Sequence, residues 1–434
     1  MSVSSPAIMP RVSCDSLVAL PSATARGTVL YAKNSDRPAR ECQPLAQFPA
    51  ARYPNDATVR CQYIEIPQVE RTLRVLGSRP FWLWGLEHGV NEAGVAAGNH
   101  TVFTRDKPEG HKLIGMDLVR LALERGATAR LAADVICELV ERYGQGGSGH
   151  RDADFPYHSS FVVADRAEAF LIETSDRNWA LRRVDAVGSA TNHVTIGTDW
   201  DALSGDAVAH AQDAGWSTAG ADRFDFAAAY RDMSWVPPTF SSGRYRRTCE
   251  ILAETRGEIT EATLRRALRD HYDGPVHLGL YPPEDERYLS LCMHADPIGS
   301  TTAGAVVEIP TAERPIRFAA CLGAPCVGVF IPLYVAGDLP AALARGGLDD
   351  SPDSPWWGFR RLLDAVEQDP QRLAQLVRLE WARDEEQMME AATALEERIA
   401  TSGQSGESQL SEFMARCTST VLDRLDQISA IVRA

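Results

Sequence analysis

Apolar residues in this chain fall into short strand-like runs as far as about residue 335 and into helical stripes beyond it. Cys14 to Leu20 and Thr28 to Lys33 are two such runs around Gly27, the pattern of a hairpin. Tyr63 to Ile66 and Thr72 to Leu76, bounded by Pro67 and Gly77, predict a second pair. The glycine-rich stretch Trp82 to His100 predicts a turn at Asn91 to Gly94 and a buried strand entering Asn99. Leu113 to Tyr143 predicts two helices. Leu118, Leu121 and Ala122 recur at helical spacing, Gly126 interrupts, and Thr128 caps a second helix with the stripe Leu131, Val135, Leu139. Ser160 to Ala164 and Ala169 to Glu173 predict a hairpin across Asp165 to Glu168, with Trp179 to Val184 as a further strand.

The second half changes texture twice. Leu203 to Phe240 is polar and alanine-rich with little strand character. Thr260 to Asp270 predicts a helix capped by Thr260, with Glu261 in its first turn. Tyr288 to His294, Thr301 to Ile309 and Pro315 to Cys321 predict strands. Trp356 to Asp364, Pro370 to Ile399 and Gln409 to Val432 predict helices, the last with Leu410, Phe413, Cys417, Val421, Leu425 and Ile428 on one side and a Gly/Ser/Gln linker, Thr401 to Ser408, before it. Strand blocks segregated from helix blocks predict an α+β layered protein. The expected divisions are a loose Ser/Pro-rich leader at 1–13, a layered domain at 14–335 and a helical extension at 336–434, with Trp356, Trp357 and Trp381 as packing anchors.

Charge and cysteine content narrow the function classes. The formal charge is −15 over 434 residues, which argues against nucleic acid, because phosphate binding needs a basic face. The longest apolar run, Gly323 to Gly337, contains Pro325 and Pro332 and is too short to span a bilayer. Met1 to Ser13 lacks the basic and apolar segments of a secretory signal. Nine scattered cysteines, an odd number, do not make a disulfide framework and fit free thiols in a reducing cytoplasm. The expected partner is a small molecule, with no membrane and no nucleic acid, and the expected state is a homo-oligomer.

Few motifs carry chemistry. Gly144 to Gly149 matches the dinucleotide glycine pattern but follows a helix and precedes Pro156, so it reads as a loop. Cys321 and Cys326 with Cys292 and His294 lack the tight paired spacing of structural zinc sites, which favours buried structural cysteines. No metal and no cofactor are expected. Cys14 starts a strand whose partner brings Lys33 and Asp36 close. Were Cys14 the first residue, its α-amine, with an intrinsic pKa of about 7.7–8.0, would take the thiol proton near neutrality, while Lys33 would favour thiolate and Asp36 would hold the amine or the lysine in place. Spacing alone favours a small core residue on an ordinary strand.

Cys14-Asp-Ser-Leu-Val-Ala-Leu-Pro followed by Ala32-Lys-Asn-Ser-Asp-Arg37 resembles the opening of the secernins, grouped with bacterial dipeptidases among cysteine N-terminal nucleophile hydrolases. The likeness continues in order through Trp84-Gly, Asn91-Glu-Ala-Gly, Gly115-Met-Asp-Leu-Val-Arg120, Tyr143-Gly-Gln-Gly-Gly147, Ile196-Gly-Thr-Asp199, Cys292-Met-His294 and Trp356-Trp357. The wider group includes penicillin V acylase and bile salt hydrolases. The resemblance implies a four-layer αββα sandwich with a helical C-terminal extension. It places the nucleophile at Cys14, exposed by leader removal, and an amine-binding carboxylate at Asp36. It places a side-chain oxyanion donor at Asn192 and a second oxyanion position at Asn99 or the backbone of His100. Arg244 matches a site arginine, with Arg246 and Arg247 as rivals in register. Lys33 stands where the acylases carry arginine.

These types suit amide hydrolysis through a thiol, which needs a thiolate, a proton shuttle and oxyanion donors. The implied activity is cleavage of amide bonds in small peptides or acylated amines, dipeptidase-like, without a cofactor. The alternatives are an amide-modifying acylase of specialised metabolism and a secernin-like interaction protein that has lost turnover.

Overall fold

All seven residues of the strand Ser13–Ala19 and all nine of Val29–Arg37 are buried. Both faces of this hairpin are therefore covered, and polar residues such as Asp15, Lys33 and Asp36 sit where an ordinary sandwich would place apolar ones. The computed structural model describes residues 13–217, 223–232, 234, 240–272, 282, 285–296, 298–311, 314–402 and 406–433. The leader, apart from Ser13, lies outside these.

The hairpin belongs to the first of two large antiparallel sheets. Its order is Val187–Ala190, Ser13–Ala19, Val29–Arg37, Gly299–Ile309, Arg317–Leu322, Ile331–Tyr334, with His294–Ala295 paired to Gly299–Ile309. The second sheet runs Ala202–Leu203, Asn178–Arg183, Ala169–Ser175, His158–Ala164, Ala96–Val102, His88–Asn91, Val75–Ser78, Leu45–Phe48. Side chains of alternate parity fill the space between the sheets, Val18 and Tyr31 from one meeting Val162 and Leu171 from the other. The opposite faces take helices. Gly115–Arg125 and Ala129–Tyr143 cluster with Phe161, Phe170 and Ile172. Ser242–Glu254 and Glu261–Ala267 cluster with Leu17, Ala19, Leu30 and Ala32. The fold is α+β, with two sheets between helical layers.

Three further helices, Pro355–Val366, Pro370–Ser402 and Glu407–Arg433, pack beyond the Ile331–Tyr334 edge. Buried indoles fix them. Trp356 Nε1 donates to the Thr302 carbonyl at 2.8 Å, and Trp381 Nε1 to that of Val327 at 3.0 Å. Arg317 holds Glu396 of the long helix at 2.7 Å.

Several expected elements differ. Tyr63 to Ile66 and Thr72 to Leu76 do not pair with each other. Glu65–Pro67 pairs with Thr58–Arg60, and Val75–Ser78 joins the second sheet between Leu45–Phe48 and His88–Asn91. Pro67 ends its strand as expected, but Gly77 is paired within Val75–Ser78, and each run takes a partner other than the one expected, Thr58–Arg60 for the first and Leu45–Phe48 with His88–Asn91 for the second. The Ala129–Tyr143 helix is capped by Thr128, which accepts from Leu131 N, yet its buried face is Ala132, Ala133, Ile136 and Val140, and Leu131 is exposed. Small alanines allow close approach to the sheet; of the expected stripe, Leu139 is buried and Val135 half-buried against the same cluster, and only Leu131 points outward. Tyr288 to His294 is not a strand; only His294–Ala295 pairs.

Candidate active site

The register of the hairpin decides what meets what. Ser13 faces Asp36, Cys14 faces Ser35, Asp15 faces Asn34 and Ser16 faces Lys33. Directly opposed residues share a face and neighbours alternate, so Cys14, Ser16, Lys33 and Tyr31 point between the sheets. Ser13, Asp15, Asn34 and Asp36 point toward the helical layer.

On the inner face Lys33 Nζ lies 3.2 Å from Cys14 Sγ and 3.3 Å from Glu87 Oε2. Cys14 Sγ is itself 3.8 Å from that carboxylate oxygen. Arg37 Nη1 takes the other Glu87 oxygen at 3.3 Å, its Nε takes Glu41 at 2.5 Å, and its Nη2 donates to the Gly149 carbonyl at 2.5 Å. Two cations thus face two carboxylates in a buried network. Gly98 of the second sheet lies against it: a Cβ there would come within 2.6 Å of Lys33 Cδ, so the close approach requires glycine. The ring of His100 bridges Ser16 Oγ at 2.7 Å and Ser160 Oγ at 3.3 Å, and burial together with the Lys33 charge keeps it neutral.

On the outer face Arg244, buried in the first turn of Ser242–Glu254, donates to Asp15 Oδ1 at 2.6 Å and to Asn192 Oδ1 at 2.8 Å. Asn192 Oδ1 also accepts from the Cys14 backbone N–H at 3.1 Å and from Ser13 Oγ at 2.8 Å. Its Nδ2 donates to the Thr101 carbonyl at 2.9 Å, and a primary amide has two N–H donors. Asp36 Oδ1 accepts from Thr301 Oγ1 at 2.6 Å, while its Oδ2 is buried without a hydrogen-bond partner.

The charges follow from this geometry. Burial pushes the Cys14 thiol up to about 12, with the Glu87 and Asp36 charges adding to the effect and Lys33 opposing it. Burial also works against the Lys33 charge, but Cys14 and Glu87 outweigh it and hold the ammonium. Burial and the neighbouring Asp15 carboxylate raise Asp36 to about 7, against the pull of Arg244. With residues still preceding Cys14, burial holds the thiol above its ordinary range, and one oxygen of the buried Asp36 carboxyl has no hydrogen-bond partner.

The sequence candidates separate accordingly. Cys14, Lys33, Asn192 and Arg244 form one contact network with Asp36 at its edge. Arg246 and Arg247 turn to Glu286 and Asp270. Arg244 lies in the first turn of the helix Ser242–Glu254. The Asn99 backbone N–H donates to the Glu87 carbonyl at 3.3 Å, and its amide, oriented to satisfy its neighbours, donates to Glu87 Oε2 at 3.3 Å. Its donors are taken up by Glu87, so Asn99 positions that carboxylate. Glu87 and Asp15 are the residues the sequence reading passed over. Glu87 stands out only as an acid inside an apolar, glycine-rich stretch, and Asp15 only as the neighbour of Cys14.

An apolar cluster borders the site. Phe103, Phe155, Tyr157, Phe240, Leu289 and Met293 pack together, with Arg244 5.6 Å over the Phe240 ring. Among the described residues no helix is long and apolar enough to cross a membrane.

No family model matches the chain. Among solved structures it is similar to penicillin V acylase from Agrobacterium tumefaciens, with a TM-score of 0.42 and 13% identity over 74% of this chain and 86% of that one. It is also similar to a variant of conjugated bile acid hydrolase from Clostridium perfringens, with a TM-score of 0.40 and 11% identity over 70% and 88%. A third is the Caenorhabditis elegans orthologue of N-acylethanolamine-hydrolyzing acid amidase, with a TM-score of 0.36 and 12% identity over 69% and 94%.

Proposed function

We propose that this chain is a thiol amidohydrolase whose nucleophile, Cys14, is created by cleavage of the Ser13–Cys14 bond. The observation that carries the reading is the pairing of Lys33 Nζ with Cys14 Sγ at 3.2 Å and of Asn192 with the Cys14 backbone nitrogen at 3.1 Å. Sulfur and nitrogen of one residue are each provided with a dedicated buried partner, which an ordinary core cysteine has no use for. The unpartnered Oδ2 of Asp36 supports the same reading. Removing the leader turns the Cys14 amide into an α-amine, and its protonated form is the cation this carboxyl lacks.

The chemistry follows. The free α-amine accepts the Sγ proton, and Lys33 stabilises the thiolate. Sulfur attacks the amide carbonyl, and the second N–H of Asn192 donates to the oxyanion of the tetrahedral adduct. The α-ammonium returns its proton to the leaving nitrogen as the C–N bond breaks, leaving a thioester on Cys14. Water, deprotonated by the same amine, cleaves the thioester, releasing the acid and restoring the thiol. The apolar cluster beside Arg244 suits an apolar group on the substrate, and the secernin-like motifs favour small peptides over larger acylated amines.

The test is the N-terminus of the purified protein together with thiol-dependent turnover. Intact mass is expected to show a chain beginning at Cys14, and a panel of dipeptides and N-acyl amides is expected to be cleaved only without a thiol-blocking reagent. A chain that keeps its leader and cleaves nothing overturns the proposal.

A further inference from the structure

Four buried side chains meet away from the thiol. The ligand-capable atoms of His271, Cys292, His294 and Cys326 all lie within 4.8 Å of one another. They come from separate places in the fold. His271 follows the Glu261–Ala267 helix, Cys292 precedes and His294 opens the strand His294–Ala295, and Cys326 lies between Arg317–Leu322 and Ile331–Tyr334. His294 Nε2 faces both sulfurs, at 3.5 Å from Cys292 Sγ and 3.3 Å from Cys326 Sγ. The His271 and His294 ring centroids are 5.2 Å apart, and His271 Nε2 is buried with no hydrogen-bond partner.

The spacing suits a tetrahedral ion. A thiolate at about 2.3 Å and an imidazole at about 2.0–2.1 Å from zinc are roughly 3.6 Å from each other at the tetrahedral angle. The two measured sulfur–nitrogen separations fall at that value or just inside it. The outer contacts fit as well. A zinc-bound histidine usually gives its other ring nitrogen to a carboxylate, and His294 Nδ1 lies 3.3 Å from Glu367 Oε1, while Arg360 donates to the other oxygen of that carboxylate at 2.9 Å. Two thiolates and two imidazoles, closed by burial, form a structural donor set for zinc and leave no open position for a substrate. Cys321, which sequence spacing grouped with Cys326, is not among the four, and His271, which the spacing could not have nominated, is.

We propose that His271, Cys292, His294 and Cys326 bind one zinc ion, which ties the loop carrying Cys292 and His294 to the first sheet and, through Glu367, to the C-terminal helices. The site would sit behind the carboxylate wall of the thiol centre. The Met293 N–H donates to Thr301 Oγ1 at 2.8 Å, and Thr301 Oγ1 donates to Asp36 Oδ1 at 2.6 Å. The role is structural and independent of whether Cys14 turns over substrate.

The experiment is metal analysis of the full chain purified by gel filtration after expression with added zinc. The expected result is about one zinc per chain, released stoichiometrically when the thiols are titrated with a mercurial, and a lower melting temperature after chelation. The variants His271→Ala and Cys292→Ser/Cys326→Ser are expected to bind less than about a tenth of that amount. Cobalt supplied instead of zinc is expected to give a thiolate-to-metal charge-transfer band in the wild type. Folded wild-type protein with less than about a tenth of an equivalent of zinc overturns the proposal, as does a Cys292–Cys326 disulfide found by mass, or full zinc retention in the double variant. The wild-type arms do not depend on the variants folding.

Discussion

The backbone N–H of Cys14 donates to Oδ1 of Asn192 at 3.1 Å, joining residues 178 positions apart. The same oxygen takes Arg244 at 2.8 Å, and Arg244 in turn holds Asp15. Asn192 thus fixes the nitrogen of the proposed nucleophile from one side while its amide nitrogen stays available as a donor. Two functions therefore meet in one side chain, and a substitution there tests both.

Asn192→Ala is expected to lower kcat by about 10²–10³, the usual loss for one oxyanion donor, on whichever amide substrate the wild type cleaves. Melting temperature should fall only modestly, because Arg244 keeps Asp15 and the Phe240 carbonyl as partners. Steady-state kinetics with a thermal melt checks this; near-normal kcat would remove Asn192 from the mechanism.

Glu87→Gln has opposite expected effects on stability and reactivity. Glu87 pairs with both Lys33 and Arg37, all three buried, and removing one member of such a network typically costs about 3–5 kcal/mol. Yet the Glu87 charge raises the Cys14 thiol pKa. Its loss is expected to increase thiolate and hence the alkylation rate, roughly tenfold for each unit by which the pKa falls. Denaturant melts and iodoacetamide kinetics at one mildly alkaline pH provide the two readouts. A variant that is destabilised without reacting faster would deny Glu87 control of the thiol.

Much of this arrangement could be read from the chain before its structure. The Cys14–Asp36 hairpin follows from two apolar runs around Gly27, whose φ of +65° only a residue without a Cβ adopts easily. The C-terminal helices follow from an uninterrupted stripe, Leu410 to Ile428, all of whose named members are buried. What could not be read was non-local. Glu87 reaches the thiol because one sheet packs face to face on the other, and His271 meets Cys326 across 55 positions with no shared periodicity. Nor did alternation reveal that Asp36 and the Cys14 thiol project from opposite faces, because the residues on both faces are polar. Register, not composition, carries that information.

Asp36 gives a pH signature. Its carboxyl is raised to about 7 in the folded chain, chiefly by burial and then by Asp15, against about 3.9 when unfolded. The folded state therefore binds the proton more tightly. The associated stability is fully present below about pH 4 and is lost as pH rises through 7. In a leader-bearing Cys14→Ala background, the stability difference relative to the same chain carrying Asp36→Asn is expected to shrink over that window. Urea melts across this pH range measure it. A difference independent of pH would show that Asp36 is already ionised beside its neighbours.

The helical extension is expected to be integral to the fold and not an appendage. Glu385 of the long helix accepts Arg265 at 2.6 Å, Arg269 at 2.5 Å and the backbone N–H of Phe330 at 2.9 Å. Those cations hold its carboxyl down at about 2 despite burial, which alone would raise it. Glu385→Ala would leave two largely buried guanidiniums and a backbone donor without this partner, so the expected loss is about 3 kcal/mol. The ionised carboxylate is what stabilises, so this contribution is present above about pH 4 and disappears as pH falls through 2. Glu385→Gln, which keeps an acceptor for Phe330 N but not the charge, should fall between wild type and alanine. Denaturant melts of the three proteins at neutral pH check the order. If alanine and wild type unfold together, Glu385 does not tie the extension to the fold.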